Sequence, residues 1–280
     1  MKKVNVVAVT GASSGIGKAT VQLFAQKGWQ VFAGARHRDR IPQAKNITSF
    51  YLDVTKKDSN QHFIESIKQA GGRLDVLINV AGYGETGPTE EIPMDKARKQ
   101  FETNFFGAAD LARLALPMMR QQSSGRIVNV SSIGGDIYSP LGAYYSASKA
   151  AMQQWSDTLD LEVEQFGIRS VVVQPGATKS SWGQIAMQNI QKNLRDSSAY
   201  ERFAYLVGNA LNDYSKGKEV TANEVARIIY RAGTDKRTRL RYFNTSRDRI
   251  AVMIARTFPN FYRRILLKTM KRWGEKTKYS

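Results

Sequence analysis

Short runs rich in Val, Ile and Leu recur through the first 180 residues, and a longer stretch with helical character follows most of them. This alternation limits the possible folds more than any other feature. The apolar runs are 4–9, 30–35, 47–54, 74–82, 125–132 and 168–176. Helical stretches lie between them, among them 16–27, 58–70, 95–120 and 145–166. Near-continuous apolar content suits strands covered on both faces, as in a parallel sheet. Repeated strand–helix units therefore predict an α/β fold with a doubly wound parallel sheet and ligands at the carboxyl ends of its strands.

The rhythm breaks at 177–220, a polar and aromatic insertion carrying Trp182, Ile185, Met187, Tyr200, Phe203, Tyr205 and Leu206. After it, residues 221–233 read as a capped helix, with Thr221 as N-cap and Glu224 three residues on. Charge changes next. Residues 236–280 hold fourteen Lys/Arg against two acids, Asp248 and Glu275, so +12 of the chain's net +18 sits there. The expected organisation is one domain over 1–235, with its insertion at about 177–220, and a basic C-terminal extension over 236–280.

Composition removes other classes. There is no cysteine, hence no disulfide framework and no thiolate metal site. His37 and His62 show no ligand spacing, so no metal is expected. The start MKKVNVVAV has a signal-like look, but its apolar run stops at Thr10, too short for a secretory core. A buried first strand is the better reading. No run approaches the roughly 20 apolar residues of a membrane span. The expected location is the cytoplasm.

The turn TGASSGIGKAT, residues 10–20, follows the first apolar run. A glycine-rich turn between strand and helix holds phosphate through backbone N–H groups and the helix N-terminus. A triphosphate loop needs four residues between its glycines and then Lys-Ser/Thr. Here five residues separate Gly11 from Gly17, and Ala19 follows Lys18, so the magnesium-binding hydroxyl is missing. Gly11, Gly15 and Gly17 fit a dinucleotide turn of the Rossmann fold instead. About 20 residues on, an acid would bond the ribose 2′-hydroxyl of NAD and an arginine the 2′-phosphate of NADP. The run 30–35 ends at Ala35-Arg36 with no carboxylate at its tip. Arg36, helped by Ser13, thus favours NADP(H) over NAD(H); a solvated basic loop is the alternative.

The motifs TGASSGIG (10–17), LDV (52–54), NVAG (79–82), ETNFFG (102–107), VSS (130–132), YSASK (145–149) and PG (175–176) stand in order. In this the chain resembles the short-chain dehydrogenase/reductase family over about its first 180 residues. One departure is Val80, where the family has a second asparagine. That change predicts altered local packing with retained activity.

The resemblance implies an NADP(H)-dependent oxidoreductase interconverting a carbonyl and an alcohol. Tyr145 and Lys149 are four apart, on one helix face. An ammonium near a phenol favours the phenolate, bringing a group that titrates near 10 towards use as an acid/base. Tyr144, five residues from Lys149, points elsewhere. Ser132 corresponds to the serine that donates to the substrate oxygen, and strand alternation sends Ser131 to the opposite face. Asn104 corresponds to an asparagine that distorts its helix and holds a water of the proton relay; a buried structural amide is the alternative. The implied catalytic set is Asn104, Ser132, Tyr145 and Lys149. The implied cofactor surface is Gly11, Ser13, Ser14, Gly15, Ile16, Gly17, Arg36, Asp53, Val54, Asn79, Ala81, Gly82, Tyr145, Lys149, Pro175, Gly176, Thr178 and Ser180. Asp53 would contact the adenine amino group, or merely cap a turn.

The insertion lies where the family has its substrate lid. Its apolar side chains either line a pocket for an elongated, lipid-like carbonyl compound or form helix core. A homo-oligomer is expected. In the tail, Phe258, Phe261, Tyr262, Ile265, Leu266 and Met270 are interleaved with cations. This is the make-up of a helix on anionic lipid or of a docking helix with a solvated basic face. The competing class is a cofactor-binding sensor or nucleic-acid-associated protein on the same fold. The cations cluster in one tail without a nucleic-acid motif, so a nucleic-acid partner is not expected.

Overall fold

A computed structural model describes residues 4–179, 182–215 and 220–276. Among these, β1 (Val6–Thr10), β2 (Gln30–Ala35), β3 (Ile47–Tyr51), β4 (Val76–Asn79), β5 (Gly125–Val130), β6 (Ile168–Gln174) and β9 (Arg241–Phe243) form one sheet in the order β3-β2-β1-β4-β5-β6-β9. Every neighbouring pair is parallel. From β1 the chain winds one way to β2 and β3, then returns to β4 and winds the other way. The reversal between β1 and β4 opens the crevice in which such sheets bind ligands.

Strand periodicity divides the core. Val7 and Val9 face one layer, with Phe24 of α1 (Gly15–Gln26) and Val225 and Ile229 of α8 (Ala222–Thr234). Ala8 faces the other, with Phe63 of α2 (Lys57–Gln69), Leu111 and Met119 of α4 (Gly107–Gln121) and Leu159 of α5 (Ala143–Val163). Thr221 and Glu224 cap α8 reciprocally, as the sequence predicts.

Two stretches depart from what periodicity alone predicts. The helix expected over 95–120 is interrupted: α3 (Met94–Phe101) passes into a π-helical turn, Glu102–Phe106, before α4 begins. Asn104 sits in that turn with both ends of its carboxamide engaged, which fixes the wider winding. The basic segment is also more than an appendage, since β9 lies within it and pairs with the end of β6. Its three residues are too few to stand out as a strand among charged neighbours. Helices α9 (Ser246–Thr257) and α10 (Pro259–Lys276) follow.

The insertion folds as β7 (Thr178–Lys179), α6 (Trp182–Asn193) and α7 (Glu201–Ser215), and β7 pairs with β8 (Val220–Thr221). Leu141, Ile190, Ala204 and Val207 form its small core, on which Met187 and Phe203 pack, while Ile185 and Tyr205 are exposed. The helix-core reading thus holds for Met187 and Phe203. Among the described residues, no helix is long and apolar enough to cross a membrane.

Candidate active site

The carboxyl ends of β1, β4, β5 and β6 converge. Thr10, the last residue of β1, accepts hydrogen bonds on its Oγ1 from the backbone N–H groups of Val80 and Ala81, both at 3.0 Å. This fixes the NVAG segment against the glycine turn. Gly11 has φ +66°, which glycine tolerates at little cost. A Cβ on Gly17 would come 2.1 Å from the Gly11 carbonyl oxygen, so turn and helix meet through backbone alone. Gly17→Ala is accordingly expected to cost about 1–3 kcal/mol in stability, with cofactor affinity at least tenfold lower. Urea unfolding and fluorescence titration with NADPH check both.

The cradle fits a dinucleotide. Ser14 is the N-cap of α1, yet its side chain makes no cap hydrogen bond, and α1 has no acid in its first turn. A Cβ built on Gly15 meets nothing within 4 Å. Donors and a helix N-terminus therefore face open space suited to a pyrophosphate. Ser13 is half-buried beside it, and Ile16 packs against the core. Arg36 lies exposed just past β2.

Other predicted cofactor residues have structural duties. Asp53 Oδ1 accepts from the Thr55 N–H at 3.1 Å and from Thr55 Oγ1 at 2.7 Å, a turn cap. Val54 is buried against Gly107. Asn79 is buried and donates to Asn129 Oδ1 at 2.9 Å, tying β4 to β5. Val80, in place of the family's second asparagine, packs on the core layer, and Ala81 packs on the other. Pro175 and Gly176 follow β6. The Pro175 carbonyl accepts from the Ile133 N–H at 3.0 Å and from Ser132 Oγ at 3.4 Å. Thr178 Oγ1 donates to the Gly176 carbonyl at 3.2 Å. Ser180 lies outside the described residues.

The four predicted catalytic side chains come together. Ser132 caps a short 3-10 turn, its Oγ accepting from the Gly134 N–H at 3.0 Å, and it shares a hydrogen bond with half-buried Tyr145. Ser131 is turned away, donating to the Lys149 carbonyl at 3.0 Å and accepting from Gln153. Tyr144 reaches instead to the Thr89 carbonyl and Met94. Asn104 Nδ2 donates to the Tyr83 carbonyl at 2.9 Å and to Ser148 Oγ at 3.0 Å, and its Oδ1 accepts from the Tyr83 N–H at 3.0 Å. A Cβ on Gly82 would sit 3.1 Å from Asn104 Oδ1 and 3.3 Å from Lys149 Nζ. Glycine there lets the backbone pass tightly against both amide and amine.

Electrostatics refine the spacing argument. Burial, the largest influence, raises the Tyr145 pKa above its ordinary value, and the hydrogen bond with Ser132 opposes it. Buried Lys149 donates from Nζ to the Val130 carbonyl at 3.0 Å, and burial lowers its pKa to about 8. The group countering burial at Tyr145 is thus Ser132, where the four-residue spacing pointed to the ammonium. The backbone carbonyl of β5 engages the amine instead.

The anchors of the insertion escaped the sequence reading. Asn189 donates to the Gly84 carbonyl at 2.7 Å, and Asn193 donates to Glu85 Oε1 at 2.7 Å and the Thr86 carbonyl at 3.0 Å. Two asparagines four apart on one helix face were the available signal. They fasten α6 to the segment that follows Gly82.

A doubly wound sheet with a glycine turn at its switch point, and Ser, Tyr, Lys and Asn gathered beside it, defines a dinucleotide-dependent oxidoreductase. The chain matches the short chain dehydrogenase family over residues 5–191. It is 32% identical over 257 residues to a probable short-chain type dehydrogenase/reductase, VdlC, of Helicobacter pylori, covering 90% of this chain and 92% of that one. It is 39% identical over 171 residues to the 3-ketodihydrosphingosine reductase of Bacteroides thetaiotaomicron, covering 61% and 63%. Among solved structures, ElxO with NADP bound superposes with TM-score 0.70 at 25% identity, covering 86% of this chain and 98% of that one. The chain belongs to the short-chain dehydrogenase/reductase family, whose members are oxidoreductases acting on CH–OH and C=O groups with a nicotinamide cofactor.

Proposed function

We propose that this chain is an NADP(H)-dependent oxidoreductase that interconverts an apolar, lipid-like ketone and its alcohol. The observation that carries the reading is Ser132 hydrogen-bonded to Tyr145, with Gly82 closely approached by both Asn104 and Lys149. Tyr145 gives its proton to the carbonyl oxygen during reduction and takes it back during oxidation. Ser132 holds that oxygen. Lys149 presents a cation, and Asn104 keeps the π-turn and the Tyr83 segment in place. Bound nicotinamide supplies or accepts the hydride. Ser13, Ser14, the glycine turn and the amino end of α1 hold the pyrophosphate, Asp53 the adenine, and Pro175, Gly176, Thr178 and Ser180 the nicotinamide side.

Arg36 supports NADP(H), because it stands exposed at the tip of β2 with no carboxylate beside it in the chain. The relative that reduces 3-ketodihydrosphingosine and the apolar lid support a long-chain ketone. The same reading makes the chain a homo-oligomer, to which exposed Phe106 and Leu161 contribute apolar surface. It also places the protein in the cytoplasm and peripherally at a membrane.

Purified chain given 3-ketodihydrosphingosine is expected to oxidise NADPH faster than NADH, and Arg36→Asp to move the ratio of their kcat/KM values at least tenfold towards NADH. An unchanged ratio refutes the role of Arg36. No consumption of either nucleotide with this ketone refutes the substrate class.

A further inference from the structure

Exposed apolar side chains crowd the C-terminal helices. Ile250, Met253, Phe258, Phe261, Ile265 and Leu267 are between 39% and 60% exposed. Residues 249–271 hold six Lys/Arg and no Asp/Glu. One cation is spent internally: Arg256 Nε donates to Asp136 Oδ1 at 2.5 Å, and the same nearly buried carboxylate accepts from Gln174. Arg249, Arg263, Arg264, Lys268 and Lys271 are exposed. At 3.6 residues per turn, Phe261, Arg264, Ile265 and Lys268 share an arc of about 100° on α10.

The other sides of these helices are occupied. Val252 and Ala255 of α9 are buried. Tyr262 Oη donates to the Tyr138 carbonyl at 2.9 Å, and the two rings meet edge to face with centroids 5.1 Å apart. Asp136 and Tyr138 lie just beyond Ser132. Asp248, in the first turn of α9, lies so close to Gly176 that a Cβ there would come within 2.5 Å of its Oδ1. The helices that carry the exposed face thus back directly onto the loops of the candidate active site.

We propose that α9 and α10 form a docking face for an anionic lipid bilayer, which holds the Ser132 and Gly176 loops directly behind the lipid-facing helices. The cations match acidic headgroups, and the aromatic and aliphatic side chains between them match the boundary with the acyl chains. A nucleic acid would satisfy the cations but leave Phe258, Phe261 and Ile265 in water, so lipid is the occupant favoured. The inference deepens the peripheral location in the proposed function. Its readout is binding, so it stands or falls apart from turnover.

The test is co-sedimentation of the full chain with phosphatidylcholine vesicles, with and without about one third phosphatidylglycerol. The acidic vesicles are expected to bind at least tenfold more tightly, and this margin to shrink at high salt. The double variants Phe261→Ser/Ile265→Ser and Arg264→Glu/Lys268→Glu are each expected to weaken binding at least tenfold at unchanged melting temperature. All four positions are exposed, and the second pair gives an independent reading if the first proves unstable. Equal binding to both vesicle types overturns the proposal. So does an apolar variant that binds as the wild type does, because the surface is then a phosphate-binding patch that an RNA or DNA oligonucleotide would equally occupy.

Discussion

Tyr145→Phe is expected to lower kcat by about 10²–10⁴-fold, the range that a positioned acid/base contributes, while NADPH affinity stays within about threefold. The substitution removes one hydroxyl and keeps the ring, which packs beside Gly134: a Cβ on that glycine would lie 3.4 Å from Tyr145 Cε1. What is lost is the proton and the partner of Ser132. Burial raises the phenol pKa, so in the neutral range it carries its proton, the form needed to reduce a ketone. Reduction is therefore expected to hold its rate through neutral pH, and oxidation, which needs the phenolate, to rise with pH. Steady-state rates in both directions, with NADPH titration as the binding control, check this. If Tyr145→Phe keeps more than about a tenth of wild-type kcat, another group moves the proton.

Sequence periodicity carried much of the fold because parallel strands buried on both faces are nearly pure Val, Ile and Leu. The six long runs were legible for that reason, whereas Arg241–Phe243, flanked by charge, was not. The glycine turn was legible because Gly11 and Gly17 leave no room for a Cβ between them. Ser132 was separable from Ser131 because adjacent strand residues face opposite ways. Long-range partnerships were not legible. Nothing local ties Thr10 to Val80, Asn193 to Glu85 or Arg256 to Asp136, since each bond spans 70 or more positions. The turn at Asn104 was anticipated through family resemblance, and its physical cause lies in Tyr83 and Ser148, distant in the chain. Electrostatic balance was the least legible part. Four-residue spacing brings an ammonium and a phenol to one helix face, but it is silent on burial, the largest influence on both.

That balance leads to the second large effect. Burial lowers the Lys149 pKa from 10.5 to about 8. The unfolded chain keeps its proton up to 10.5, while the folded chain releases it near 8. Between these values unfolding takes up a proton, so stability rises with pH across the window. Below about pH 8 the buried charge costs a constant amount, about 3 kcal/mol for this displacement. Lys149→Met removes the titration and keeps the length of the side chain. It also strips the Val130 carbonyl of its donor, which offsets part of the gain at neutral pH by about 1–3 kcal/mol. The pH dependence is therefore the cleaner readout. In urea unfolding without nucleotide, the stability of wild type minus that of Lys149→Met is expected to rise by about 3 kcal/mol from below pH 8 to above pH 10. A difference that stays flat would mean that the ammonium is solvated and exerts no hold on the site. A rise of the expected size would mean that the fold maintains a strained cation beside Gly82, available to an incoming electron-rich group.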